Sequence, residues 1–267
     1  MPSSIRPPRS GFLELSVGSV LAVSGVACGL LVAAGIPVGI SVVLGCAVGG
    51  LCGLANGMLV AVGRVPSFVA TLGLMGIARG VALALTDGRS VSVFPESFTA
   101  ISVKNVLGVP LFGLAVLLIY VLGVILHRYT VCGVQVTAIG SNERTAWLCG
   151  VPVRARLVLV FVMSGAMAGL GGILLASRLN SAHPLAGNLY ELDSIAAAII
   201  GGASLNGGKA SVAGTLTGVL LLTAMRNGLS ILNVSAYLQQ ICVGLIIIGA
   251  VAIDAVAANS SRSRVYL

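Results

Sequence analysis

The chain alternates long apolar runs with short polar joints. From Leu15 to Gly63 no charged residue occurs, and Gly35-Ile36-Pro37 breaks the stretch in its middle. That length holds two bilayer-crossing helices of about 20 residues each. Reading on in the same way, the pattern predicts spans at 17–35, 38–62, 66–86, 108–127, 155–177, 190–206, 209–228 and 232–255. The segment 190–206 is short and polar at its start. The runs are unbroken, whereas barrel strands alternate apolar and polar residues. The expected fold is therefore all-α: a polytopic α-helical membrane protein of about eight spans. A tail at 1–10 and a tail at 257–267 flank a membrane domain at 11–256. Arg6 and Arg9 before an apolar run imitate a secretion signal. The run, however, continues for two helix lengths without a small-residue cleavage site, so it is read as a first span.

Composition excludes the other classes. Hydrophobic residues are 57% of the chain and charged residues 8%, against about 25% charged in soluble domains. Mean hydropathy is +1.09. So few charges cannot cover a soluble surface, and so apolar a chain does not stay disordered. The net charge of +8 comes with aromatics at only 4%. The basic residues are scattered singly between apolar runs, which is the pattern of membrane flanks and not of a nucleic-acid footprint. Membrane lipid is the expected surrounding, and nucleic acid is not an expected partner.

Lys and Arg also orient the chain. With a cytoplasmic N-terminus and alternating sides, the cytoplasmic face holds Arg6, Arg9, Arg64, Arg128, Arg144, Arg154, Arg156, Lys209, Arg262 and Arg264. The outer face holds Arg89, Lys104, Arg178 and, near a span end, Arg226, while Arg79 falls inside a span. This is a positive-inside bias, and it is kept only if 190–206 crosses.

Glycines predict how the helices meet. Gly45, Gly49, Gly53 and Gly57 share one face at four-residue spacing, and Gly165 with Gly169 and Gly214 with Gly218 repeat the pattern. Small residues that let backbones approach are the packing device of helices in lipid.

Chemistry is scarce. The stretch from Gly201 to Ala210 imitates a phosphate-binding loop, but Ala203 stands where the first glycine belongs and Ala210 where Ser or Thr belongs. No catalytic residue is expected, because no nucleophile has a base beside it. Cys28, Cys46, Cys52, Cys132, Cys149 and Cys242 form no C-x-x-C pair, and His127 and His183 lie far apart. No metal site or cofactor is expected. Polar groups in or beside the spans are Asn56, Arg79, Glu191, Asp193, Arg226, Asn227, Gln239 and Gln240. They serve either as interfacial and interhelical hydrogen-bonding groups or as the wall of a polar path. Asn56, Arg79, Glu191, Asp193 and Asn227 are the candidate path residues. Mid-membrane charge is too sparse for an ion-coupled carrier. The largest cytoplasmic segment runs from His127 to Arg156. There Ser141 or Asn142 can cap a short helix, Glu143 suits its first turn, and Gly150 can end it.

These residues carry a resemblance. Ala138-Ile139-Gly140-Ser141-Asn142-Glu143 through Gly150-Val151-Pro152-Val153 resembles the cytoplasmic loop of sugar-importing ABC permeases of the ribose/xylose type. Ser164-Gly165-Ala166-Met167-Ala168-Gly169, then Tyr190-Glu191-Leu192-Asp193-Ser194-Ile195-Ala196-Ala197, Gly201-Gly202-Ala203-Ser204-Leu205 and Gly207-Gly208-Lys209 follow in family order. So do Gly214-Thr215 and Asn227-Gly228-Leu229. Upstream, Leu15-Ser16-Val17-Gly18-Ser19, Ala55-Asn56-Gly57, Pro66-Ser67-Phe68-Val69-Ala70-Thr71-Leu72-Gly73 and Arg79-Gly80 also fit, so that the likeness covers roughly 11–255.

The resemblance implies an ABC importer permease fold in the bacterial inner membrane, carrying a ribose-like monosaccharide without an ATPase site of its own. It implies cytoplasmic ABC ATPase subunits, a second permease subunit (identical or paralogous) and an extracytoplasmic sugar-binding protein as partners. Gly140, Asn142, Glu143, Arg144 and Gly150 then fall in the segment that docks on the ATPase. Gly201, Gly202, Gly207, Gly208 and Lys209 form a second cytoplasmic contact. The family pattern has two more N-terminal helices than this chain offers. Glu14 stands where it has aspartate, and Trp147 and Cys149 depart from its loop. The other readings are a truncated paralogue that does not assemble, a structural membrane partner, or a self-contained channel or carrier.

Overall fold

The computed structural model describes residues 14–103, 105–106, 109–203, 207–208, 211–235 and 237–249. The helices are α1 (Val17–Ala33), α2 (Val38–Ala61), α3 (Ser67–Thr86), α4 (Glu96–Val103), α5 (Leu111–Tyr129), α6 (Val131–Ser141), α7 (Glu143–Leu148), α8 (Val153–Leu179), α9 (Tyr190–Ile200) and α10 (Val212–Ile231). A further helix, α11, is Tyr237–Gly249. Four two-residue strands, β1 (Val91–Ser92), β2 (Asn105–Val106), β3 (Val109–Pro110) and β4 (Ser181–Ala182), pair antiparallel as β1 with β4 and β2 with β3.

The punctuation that starts these helices is local. Pro37, Pro66 and Pro152 stand immediately before α2, α3 and α8, where a missing N–H costs nothing. Thr130, Asn142 and Ser211 cap α6, α7 and α10, their side chains accepting from the N–H groups of Gly133, Thr145 and Gly214 at 3.4, 3.1 and 3.0 Å. The helix α6 was not expected from the sequence, which reads there as a connecting loop.

Four helices form the packed centre. α1 is buried on nearly every face, from Gly18 through Gly29, and lies among α2, α3 and α8. α2 and α8 run antiparallel and touch along their length. Gly45 sits against Ile173 and Cys28, Gly49 against Gly165 and Gly169, Gly53 against Phe161, and Gly57 against Val158. The glycine ladder expected from spacing alone is thus the α2–α8 seam. A Cβ at Gly53 would run into the Phe161 carbonyl, and one at Gly165 into the Gly49 carbonyl. The seam is backbone on backbone.

One end of the bundle carries α4 and the β1–β4 pair. Phe98 is fully buried and meets Phe94 edge-on at 4.9 Å. Ser177 Oγ donates to the Phe98 carbonyl at 2.8 Å, and the Phe94 N–H donates to Asn180 Oδ1 at 3.0 Å. The opposite end carries α6, α7 and the turn after α9. It is the end to which the charge count assigns the cytoplasm.

The expected span pattern needs correction. Five helices, α2, α3, α5, α8 and α10, are long and apolar enough to cross a membrane, while α1, α6 and α11 are shorter apolar helices. The segment expected as a span at 190–206 is helical only over the 11 residues of α9. At 1.5 Å per residue that is about 16 Å, half of a hydrocarbon core of about 30 Å. Residues 204–206 lie outside the described residues, as do both tails and the end of the 232–255 span.

The chain that leads into α9, 183–189, is a run of turns. Ala182 lies beside Gly29 in the upper part of α1, whereas Gly187 and Glu191 lie beside Gly18 at its start. Between them residues 183–189 run back down α1 for about 16 Å, the length of 11 helical residues. α9 then begins inside the bundle. Residues 183–200 are therefore broken in two, turns in the first part and helix in the second. Polar residues at the start of α9 mark this break.

Candidate functional site

Three polar groupings emerge from the bundle, and they do different things. The first is inside it. Asn56 is fully buried on α2, and its Nδ2 donates to Ser16 Oγ at 3.0 Å. Ser16 Oγ in turn donates to Glu14 Oε1 at 3.2 Å. Ser164 on α8 also reaches the Glu14 carboxylate. The network ties the chain entering α1 to α2 and α8. Glu14 and Ser164 were not among the expected site residues; their only sequence signal is a lone acid at the edge of an uncharged run.

The second grouping holds the turns at 183–189. Arg79, midway along α3, donates through one terminal nitrogen to the carbonyls of Pro184 and Ala186, at 2.8 and 2.9 Å. Its partners are 105 and 107 residues away and are backbone groups, so no sequence pattern announces them. Glu191, in the first turn of α9, is 8% exposed, and its Oε2 is buried with no partner among the described residues. It lies within electrostatic reach of Arg79.

The third grouping is at the surface of the same break. Asp193 on α9 pairs with Arg226 on α10, with Oδ1 and Nη2 2.7 Å apart and the side chains 23% and 39% exposed. Asn227, the next residue of α10, is exposed, Thr223 one turn earlier is exposed, and Tyr190 is 42% exposed. The pair gives the apparently isolated Asp193 a partner that sequence alone did not assign. α9 and α10 approach closely enough for this because Gly218 sits on the Ala197 carbonyl and Gly214 on the Gly201 carbonyl.

A charge pair at this depth needs both members. Removing one leaves the other unpaired in a poorly solvated place. Asp193→Asn alone and Arg226→Gln alone are each expected to lower thermal stability in detergent by about 1–3 kcal/mol, less than for a fully buried pair because both groups are partly exposed. The exchanged pair Asp193→Arg with Arg226→Asp is expected to recover at least half of that loss. Equal loss in the exchanged variant, measured by thermal unfolding, would count against the pairing.

The remaining expected site residues assemble at the other end of α9. Asn142 is the cap of α7, Glu143 opens it, and Arg144 follows. Ser141, the alternative cap, instead donates back to the Thr137 carbonyl at 3.1 Å. Gly150 ends the helix with φ +82°, and the Gly150 and Val151 N–H groups return to the Trp147 and Ala146 carbonyls at 3.0 and 3.1 Å. Ala146 is buried with Ile139, Val153, Leu157 and Ala61, which fastens α7 to the ends of α2 and α8. Trp147 and Leu148 point away from that cluster and are 66% and 69% exposed.

The turn after α9 meets this helical loop directly. Gly207 has φ +82°, and a side chain there would strike the Gly140 carbonyl, while Gly208 packs on Ser141. The two segments that the sequence left as separate contacts form one surface. Gly201 and Gly202 start the turn at the end of α9, and Gly201 packs on Gly214 of α10. Lys209 lies outside the described residues. Among the described residues no group of His, Cys, Asp and Glu is placed to hold a metal ion.

Comparison with known proteins bears on all of this. The family described as branched-chain amino acid transport system / permease component matches residues 8–251. The ribose import permease protein RbsC of Bacillus subtilis is 38% identical over 248 residues, 92% of this chain and 77% of its own. The L-arabinose transport system permease protein AraH of Escherichia coli is 36% identical over 255 residues, 95% of this chain and 77% of its own. The D-allose transport system permease protein AlsC of Escherichia coli is 37% identical over 243 residues, 91% of this chain and 74% of its own. No solved structure gives a significant match. An apolar multi-helix bundle, a glycine-built seam and a match over nearly the whole chain lead to one conclusion: this chain belongs to the family of branched-chain amino acid transport system / permease components.

Proposed function

We propose that this chain is the transmembrane permease subunit of an ATP-binding-cassette importer that moves a monosaccharide across the bacterial inner membrane. The observation that carries this reading is the near-full-length likeness to permeases named for ribose, L-arabinose and D-allose. The chain provides a path, and cytoplasmic ATPase subunits provide the energy. A second permease subunit completes the path, and an extracytoplasmic binding protein delivers the sugar.

Eight crossings serve this role: α1, α2, α3, α5, α8, the broken crossing 183–200, α10 and α11. The broken crossing preserves the positive-inside count. Discontinuous crossings in transporters characteristically place their breaks beside the solute path. The exposed polar residues at this break, Asp193, Asn227 and their neighbours Tyr190 and Arg226, are assigned to the path. A guanidinium and a carboxylate face hydroxyl groups well, and weak contacts suffice where the solute must leave. Asn56 and Arg79 are assigned to holding the walls, because their partners lie within the bundle, and Glu191 with them, because it is buried within reach of Arg79. The surface made by 140–150 with Gly201, Gly202, Gly207 and Gly208 is assigned to the ATPase.

The test is co-purification from native membranes in mild detergent through a C-terminal tag, followed by sugar uptake in reconstituted vesicles. Recovery of an ATPase subunit in equal amount, with ATP-dependent uptake of a pentose or hexose, is expected. A chain that is stable in the membrane but brings down no ATPase would end this reading in favour of a structural membrane protein.

A further inference from the structure

We infer that Arg79 is a positioning residue for transport: it latches the run of turns at 183–189 that leads into α9, and Glu191 is the acceptor to which its guanidinium transfers when that segment moves. The inference rests on the permease reading for its transport arm only.

The latch is made of unusual parts. Residues 183–189 are turns that satisfy only part of their own backbone, the Ala186 N–H on the His183 carbonyl and the Tyr190 N–H on the Gly187 carbonyl. Pro184 is fully buried there, and Gly187 packs on Gly18. Backbone groups without secondary structure at membrane depth must find partners in the protein or in a water-filled cavity. The Pro184 and Ala186 carbonyls find theirs in one charged nitrogen of Arg79. Hydrogen bonds from a charged donor are stronger than neutral ones, so this single side chain fixes the segment against α3.

The acceptor is already in place. Glu191 begins the helical half, one turn beyond the latched carbonyls. Its Oε2 is buried and has no partner among the described residues. A buried carboxylate oxygen left unsatisfied is costly. The cost falls if a guanidinium arrives, and Arg79 is the cation in electrostatic reach. In the structure the guanidinium serves the carbonyls and the carboxylate waits. In the opposite arrangement Arg79 serves the carboxylate and the 183–189 segment is free to leave α3. The break in the crossing thus has two ways to satisfy one cation, which is what a two-position element requires.

A cysteine probe reads the latch. Ala186 is half-buried, and Ala186→Cys in a background freed of the native cysteines is labelled with a membrane-impermeant maleimide in the assembled complex. In the resting protein, Arg79→Gln is expected to raise the labelling rate about tenfold or more, since two charge-assisted bonds are lost. Arg79→Lys, which keeps the charge and loses the fork, is expected to fall between the two. Glu191→Gln is expected to label like the unaltered protein at rest. It should lose the increase in labelling that ATP turnover produces and cut uptake about tenfold, with unchanged amounts of protein and bound ATPase.

Resting labelling of Arg79→Gln equal to the parent overturns the latch. Where that variant accumulates poorly, Arg79→Lys decides in the same way. Turnover-dependent labelling of Glu191→Gln equal to the parent overturns the transfer. Absence of sugar uptake in the unaltered complex would instead strike the permease reading, and the resting labelling would still report on the latch.

Discussion

Replacing Trp147 or Leu148 by aspartate is expected to abolish recovery of the ATPase subunit and with it sugar uptake. Both side chains are about two-thirds exposed, at 66% and 69%, at the end of the bundle where α2 ends and α8 begins. They are taken as anchors of the proposed ATPase contact, since aromatic residues dominate interface energetics and exposed apolar patches mark interfaces. Truncating such an anchor costs about 2 kcal/mol or more, roughly thirtyfold in affinity, and a carboxylate in its place adds desolvation. The bundle itself should not notice. Substitutions at exposed positions stay within about 0.5 kcal/mol, so thermal stability of the isolated permease is the control. Ala146→Asp makes the contrast: Ala146 is 5% exposed, so this change should unfold the loop as well as undo docking. Trp147→Asp and Leu148→Asp variants that still hold the ATPase at parental affinity would remove this surface from the docking role.

The second large effect is at the seam. Gly53→Ala is expected to destabilise the protein by about 1–3 kcal/mol and Gly53→Leu to prevent its accumulation. The added Cβ would meet the Phe161 carbonyl, with Val162 Cα at 2.9 Å. Backbone cannot turn aside as a side-chain tip can, so the two longest helices of the centre must separate. The same substitution at Gly73 or Gly76 of α3 has nothing within 4 Å to strike. There alanine is expected to be neutral or to stabilise by up to about 1 kcal/mol, through helix propensity alone. Opposite signs for one chemical change, read as thermal stability in detergent, test the seam without reference to transport. A Gly53→Ala protein as stable as the parent would refute close packing there.

Much of this was legible before any fold was seen. The spacing of Gly45, Gly49, Gly53 and Gly57 announced a helix face meant for close approach, because only packing gives such a repeat its use in lipid. The cap and end of α7 were legible in Asn142, Glu143 and Gly150, because capping depends on neighbours in sequence. What the glycine face would meet was not legible. Phe161, Gly165 and Gly169 lie more than a hundred residues further on, and their pairing is a matter of shape. The partners of Arg79 were equally hidden, being carbonyls, which every residue has. The helix α6 was missed because its 11 residues mix apolar with small and polar ones and are too few to read as a span.

The sequence by itself determined the apolar surroundings, the helical class and the family resemblance, and it supplied the expected orientation, for each is a sum or a local pattern: hydropathy, charge count, caps and ordered motifs. Only the tertiary structure decided that the segment expected as a span at 190–206 is helical over α9 and is led into by the turns of 183–189. Hydropathy measures whether a stretch belongs in the membrane, but not whether its backbone is satisfied by its own helix or by a distant arginine. That choice is made by the Arg79 nitrogen, the Pro184 and Ala186 carbonyls and the groove beside α1, and they exist together only after the chain has folded.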